Sequence, residues 1–109
     1  MARIPIAPPG MKDQRPRYTL GWRVGNHIYV AGQLPFDKDG NLLGKGDIKA
    51  QTRQALDRLG AVLTAAGSSL AQAVAVSVYL RDASDFAAMN EVYRETFSDK
   101  PPTRTTVAA

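Results

Sequence analysis

DIKAQTRQALDRLGAVLTAAGSSLAQAVAVSVYL, residues 47–80, changes its hydrophobic period partway along, and that change decides the fold. Asp47 suits a helix N-cap, and Gly67 suits the left-handed position just past a helix end. Between them Ile48, Thr52, Ala55, Leu56, Leu59, Val62, Leu63 and Ala66 recur at helical spacing. After Gly67 the period becomes two. Val74, Val76, Val78 and Leu80 alternate with Ala73, Ala75, Ser77 and Tyr79, the pattern of a strand.

Upstream, Leu20, Trp22 and Val24 alternate with Thr19, Gly21 and Arg23, which predicts a strand. Gly25-Asn26 is a two-residue hairpin signal, and His27 to Gly32 reads as the return strand. Pro35 to Gly46 carries turn residues, with room for a short extended piece at 41–43. Residues 1–17 show no period and read as an irregular basic arm. Downstream, Asp82 or Ser84 caps a second helix running to about Phe97, with Phe86, Met89, Asn90, Tyr93, Thr96 and Phe97 on one stripe. Pro101-Pro102 breaks the chain, and Thr103 to Val107 reads as a final strand.

The predicted order is β–β–α–β–α–β. A helix between two strands implies a crossover, so part of the sheet is expected to be parallel, with both helices on one face. The expected class is α+β, a two-layer sandwich with a mixed sheet. Two helices cover only one face, yet the strands at 27–32 and 73–80 carry almost no charge on either. The second face is therefore expected to be buried against another copy, giving a homo-oligomer with sheets inside and helices outside. The competing reading is that Ala, Ser and Tyr simply tolerate solvent.

The 109 residues fit a single domain, 1–109. Without cysteine there is no disulfide framework, thiolate nucleophile or Cys-ligated metal site, and one histidine, His27, cannot build a multi-His centre. No apolar run reaches membrane-spanning length, and Arg3 interrupts any signal-like start. A cytoplasmic protein with no membrane partner is expected. The net charge of +4 lies in the N-terminal stretch, where Arg3, Lys12, Arg15, Arg17 and Arg23 face only Asp13. A basic arm can track phosphates. It lacks interleaved aromatics and a groove-reading helix, so a solvated arm is the preferred reading and nucleic acid is not an expected partner.

The common catalytic constellations are missing. Gly40, Gly44 and Gly46 lack phosphate-loop spacing, His27 has no nucleophile elbow near it, and Asp37 with Asp39 reads as turn chemistry rather than a metal loop. Two residues stand out. Asn90 shares the apolar stripe of its helix, where an amide needs a partner: a structural hydrogen bond or a ligand. Arg104 sits on a strand of small residues, where a guanidinium calls for a carboxylate from the protein or from a ligand.

The chain resembles the Rid family of enamine/imine deaminases, the YjgF-like proteins, some of which were first described as translation inhibitors or endoribonucleases. The pieces that carry the resemblance run in order: YTLG at 18–21, Gly25-Asn26, AGQLP at 31–35, QTRQAL at 51–56, AAGSSL at 65–70, VYLRD at 78–82, Asp85-Phe86-Ala87 with NEVY at 90–93, and PPTRTTV at 101–107. The resemblance implies a chorismate-mutase-like fold assembling as a trimer, with an inner β-barrel and active sites between subunits. It implies hydrolysis of 2-imino or 2-amino-enoic acids to 2-keto acids and ammonia, with no cofactor and no metal. Arg104 then grips the substrate carboxylate, and Tyr18, Gly32, Asn90 and Thr106 are the expected substrate-binding residues. Thr106 stands where many relatives have Cys, and Ala31 where many have Ser. Relatives continue past the arginine strand into a last strand bearing a Glu credited with positioning water. The sequence ends at Ala109, so that strand is expected to be missing from it. Two alternatives stay open: a non-catalytic, regulatory binder of small carboxylates, and an RNA-binding or endoribonuclease-like protein.

Overall fold

The computed structural model describes residues 2–109. Strands β1 (Arg3–Pro5), β2 (Gly21–Val24) and β3 (His27–Val30) precede helix α1 (Ile48–Ala65); β4 (Ala75–Leu80), helix α2 (Phe86–Thr96) and β5 (Thr103–Ala108) follow. The α+β class, the two helices and the crossovers match the sequence reading.

Helix α1 starts where expected. The Asp47 carboxylate accepts the Ala50 N–H at 3.1 Å, satisfying a donor with no partner in the first turn. Gly67, at φ 83°, turns the chain away, and Ser68 N–H reaches back to the Leu63 carbonyl at 2.9 Å. Asp82 caps the second helical segment by accepting the Ser84 N–H, and a 3-10 turn at Ala83–Asp85 leads into α2.

The strands form two sheets. In one, β1, β2 and β3 are antiparallel; in the other, β4 and β5 are parallel. The parallel pair confirms the crossover through α2. Antiparallel and parallel pairing thus both occur, as a mixed sheet requires, and by hydrogen bonding they fall into two pieces: among the described residues no strand pairs with both β3 and β4. Helix α1 joins the two pieces. Val62 and Ala66 pack on Ile28 and Val30 of β3, while Leu56 joins the cluster holding Val76, Val78 and Leu80 of β4.

Close approach at the first sheet requires glycine at position 21. A Cβ there would stand 3.1 Å from Ile6 Cδ1, 3.1 Å from the Tyr29 carbonyl oxygen and 3.2 Å from Val62 Cγ1. Val62 is fully buried as a result.

Three boundaries differ from the sequence reading. The stretch 1–17 is not wholly irregular, because Arg3–Pro5 forms β1 against Trp22–Val24. A three-residue edge strand is too short to show a period. The third strand ends at Val30 rather than Gly32. Val74 precedes β4 and is 79% exposed, so it leaves the buried face shared by Val76, Val78 and Leu80. The turn region behaves as read: Asp37 Oδ1 accepts the N–H groups of Asp39 and Asn41, and Phe36 bridges Leu42. Among the described residues no helix is long and apolar enough to cross a membrane.

Both helices lie on one side. The opposite sheet faces present His27, Tyr29, Ala75, Ser77, Tyr79, Thr103 and Thr105, with Tyr29 62% and Tyr79 74% exposed.

Candidate functional site

The site begins with the period of β5. Parallel pairing sets Arg104 beside Val76 and Thr106 beside Val78, and those valines pack under the helices. Alternation therefore directs Arg104 and Thr106 to the helix side and leaves Thr103 and Thr105 exposed. Above them, α2 buries Met89, Val92 and Tyr93, which places Asn90 on the flank nearest β5.

Arg104 and Asn90 meet there. Arg104 Nη1 donates to Asn90 Oδ1 at 2.7 Å. The guanidinium also lies 4.7 Å from the Tyr93 ring centroid and 5.2 Å from that of Phe86. A cation over an aromatic face is stabilised by about 0.5–2 kcal/mol, depending on how dry the contact is. Two rings and one amide oxygen thus fix the side chain without neutralising it. Among the described residues no carboxylate pairs with Arg104.

The guanidinium borders an open cleft of about 710 Å³ lined by Asn90, Tyr93, Arg94, Phe97, Pro102 and Arg104, among others. Glu91 and Glu95 also border it, but cations of α1 hold them: Lys49 lies 2.5 Å from Glu91, and Arg53 lies 3.8 Å from Glu95. The Lys49 hydrogen bond, aided by its charge, keeps the Glu91 carboxyl below its ordinary pKa. Burial pushes the Tyr93 phenol up, against the opposing charge of Arg104. Its hydroxyl is buried without a hydrogen-bond partner. The cleft is thus a basic pocket with aromatic walls, suited to a small organic anion.

The other expected residues lie elsewhere in the chain. Tyr18 is exposed in the loop before β2, and Gly32 follows β3; neither lines the cleft. A Cβ on Gly32 would meet nothing within 4 Å, so nothing within one protomer demands glycine there. The Thr106 hydroxyl is buried and unpartnered. Replacing both partners of a buried polar contact, or removing one lone buried group, avoids a desolvation cost of about 1–3 kcal/mol. Thr106→Val is therefore expected to leave stability unchanged or raise it by about 1 kcal/mol. Thermal unfolding at fixed protein concentration checks this, and a clear loss of stability would mean that the hydroxyl has a partner.

The sequence reading passed over Phe86, Tyr93 and Arg94. The two aromatics carried a signal, since both shared the stripe with Asn90, but periodicity alone marks them as core. Arg94 carried one as well: it stands four residues after Asn90, one turn along the same helix face.

Fold and site together define a class: a two-layer α+β protein that presents a fixed, unneutralised guanidinium to a small cleft. The family model described as endoribonuclease L-PSP matches residues 12–109, and the chain belongs to that family, which includes the YjgF, RutC and Rid proteins. A RutC family protein of Pyrococcus abyssi is 48% identical over 90 residues, 83% of this chain and 71% of that one. RidA from the Antarctic bacterium Psychrobacter sp. PAMC 21119 superposes with a TM-score of 0.88 at 34% identity, covering 97% of this chain and 85% of that one. E. coli TdcF, solved with bound serine, superposes with a TM-score of 0.88 at 28% identity, again covering 97% and 85%.

Proposed function

We propose that this protein hydrolyses reactive 2-imino and 2-amino-enoic acids to 2-keto acids and ammonia, with Arg104 binding the substrate carboxylate. The observation that carries the reading is a guanidinium held by Asn90 and two rings at a cleft, with no carboxylate of its own. That the similar E. coli TdcF was solved with bound serine supports a small amino-carboxylate as the kind of ligand.

The chemistry asks little of the protein. A protonated imine is already electrophilic at C2. Water adds there, a proton moves from oxygen to nitrogen, and the C–N bond breaks as the carbonyl forms. The iminium and one water thus become the keto acid and ammonium. Positioning supplies most of the effect, through a substrate held by its carboxylate with C2 open to water. Arg104 supplies the two-pronged grip. Thr106, Tyr18 and Gly32 complete the binding set in this reading, the last two from a second copy across a homotrimer interface. The outer sheet faces support such an assembly, because they leave Tyr29 and Tyr79 largely in water. Sedimentation that gives a monomer at all concentrations would contradict this part. The reading includes a cytoplasmic location.

The test is direct. 2-Iminobutanoate generated in situ should lose ammonia faster with the protein than without it. Asn90→Asp offers a sharper check. A carboxylate in place of Oδ1 would pair with Arg104 internally and compete with the ligand, weakening 2-oxobutanoate binding by about tenfold or more. Unchanged binding, read by calorimetry, would remove Arg104 from the ligand site.

One observation favours a second reading, a non-catalytic binder of small carboxylates. Of the acids that border the cleft, Glu91 is hydrogen-bonded to Lys49 with its carboxyl held below its ordinary pKa, and Glu95 faces Arg53 at 3.8 Å, which disfavours either as a general base. Tight 2-oxobutanoate binding with no acceleration would establish that reading. An RNA-directed activity, which the family model's name suggests, finds less support. Arg3 stacks over Trp22 at 4.2 Å and Arg15 pairs with Asp13 at 2.6 Å, occupying two cations of the basic stretch.

A further inference from the structure

The cleft holds a second cation that the binding of one carboxylate does not use. Arg94 lines the same cavity as Arg104 and Asn90. Its place on α2 is set by the helix: Asn90 and Arg94 are four residues apart, so their side chains leave the same face one turn from each other. Asn90 is the residue that fixes Arg104, at 2.7 Å. Arg94 therefore leaves α2 about one helical turn from Asn90, the residue that anchors the Arg104 guanidinium, and lines the same cleft.

Among the described residues Arg94 has no carboxylate partner and no side-chain hydrogen bond. The nearest acids in sequence, Glu91 and Glu95, are bound across to α1 by Lys49 and Arg53. Those cations draw the two carboxylates towards α1 and partly offset their charge. Two guanidinium groups thus border one cavity, and neither is paired with the two acids that share its rim.

We propose that this cleft selects substrates with two carboxylates, a four- or five-carbon 2-imino dicarboxylate, with Arg104 on the C1 carboxylate and Arg94 on the distal one. The inference rests on the deaminase reading and deepens it by naming the substrate class. The two cations differ in kind. Arg104 is fixed by an amide and two rings and suits the invariant end of the substrate. Arg94 is exposed and adaptable, and suits an end that varies in reach. A purely structural role is the alternative: a cation in the last turn of α2 also favours the helix dipole. That role moves stability and leaves ligand choice alone.

The experiment titrates the full chain with two stable product acids, 2-oxobutanoate and the five-carbon dicarboxylate 2-oxopentanedioate, by calorimetry or NMR. The dicarboxylate is expected to bind about tenfold more tightly, the worth of one further, partly exposed charge-assisted contact. Arg94→Gln should erase that preference and leave 2-oxobutanoate binding within about twofold, while Arg94→Lys should retain part of it. As a check that needs no variant, dicarboxylate binding should weaken more steeply with added salt than monocarboxylate binding. Equal affinities, or a preference that survives Arg94→Gln, would overturn this inference and leave the deaminase reading standing. Binding of neither acid would overturn both.

Discussion

Replacing Arg104 with Ala is expected to slow deamination of freshly generated 2-iminobutanoate by about a hundredfold, a loss of 2–3 kcal/mol for a charge-assisted, two-pronged contact. The side chain makes no ion pair among the described residues, so the variant loses no internal salt bridge. What it loses within the chain is one hydrogen bond to Asn90 and two contacts with aromatic rings. Modest destabilisation and severe loss of activity should therefore separate cleanly. Arg104→Lys keeps the charge without the planar fork and should fall between wild type and Arg104→Ala. Ammonia release in a dehydratase-coupled assay reads all three. Wild-type turnover by Arg104→Ala would sink the assignment.

The largest effect on stability is expected at Met89. It is 2% exposed and sits with Leu56, Val92, Tyr93 and Phe97 in the cluster that joins both helices to β4. Met89→Ala removes its side chain from the centre of that cluster and should cost about 2–5 kcal/mol, transfer and cavity terms together. A domain of this size has a stability of roughly 5–15 kcal/mol, so the variant would approach the threshold of folding. Urea unfolding at fixed protein concentration measures it, since self-association would add a concentration-dependent term. A shift below about 1 kcal/mol would mean that the cluster relaxes into the space. Because Asn90 and Tyr93 stand on the same helix, a destabilised α2 should also weaken the grip on Arg104.

Much of this was legible in the residues. The helix from Asp47 to Gly67 declared itself by its cap, its period and its terminal glycine, and the alternation in β4 and the Gly25-Asn26 turn fixed the neighbouring elements. Their signals are local, so the sequence carries them openly. Arg104 and Asn90 were legible as polar residues at positions that resist them, though their pairing was not. Fourteen residues separate them, and only the register of β5 against β4 brings them together. β1 was hidden because three residues show no period and its partner lies far along the chain. The break between β3 and β4 was hidden for a related reason: strand pattern reports which face is buried and says nothing of which edge is paired. The contact of Phe86 and Tyr93 with Arg104 was hidden because a hydrophobic stripe looks the same whether it covers a sheet or flanks a guanidinium.

The most direct test of the central claim is a crystal structure of the full chain with 2-oxobutanoate bound. The account predicts the carboxylate on Arg104, with Asn90 Oδ1 still holding Nη1 and the C2 carbonyl facing the open cleft. A ligand bound elsewhere, or an Arg104 guanidinium paired with a protein carboxylate in the assembled molecule, would contradict it.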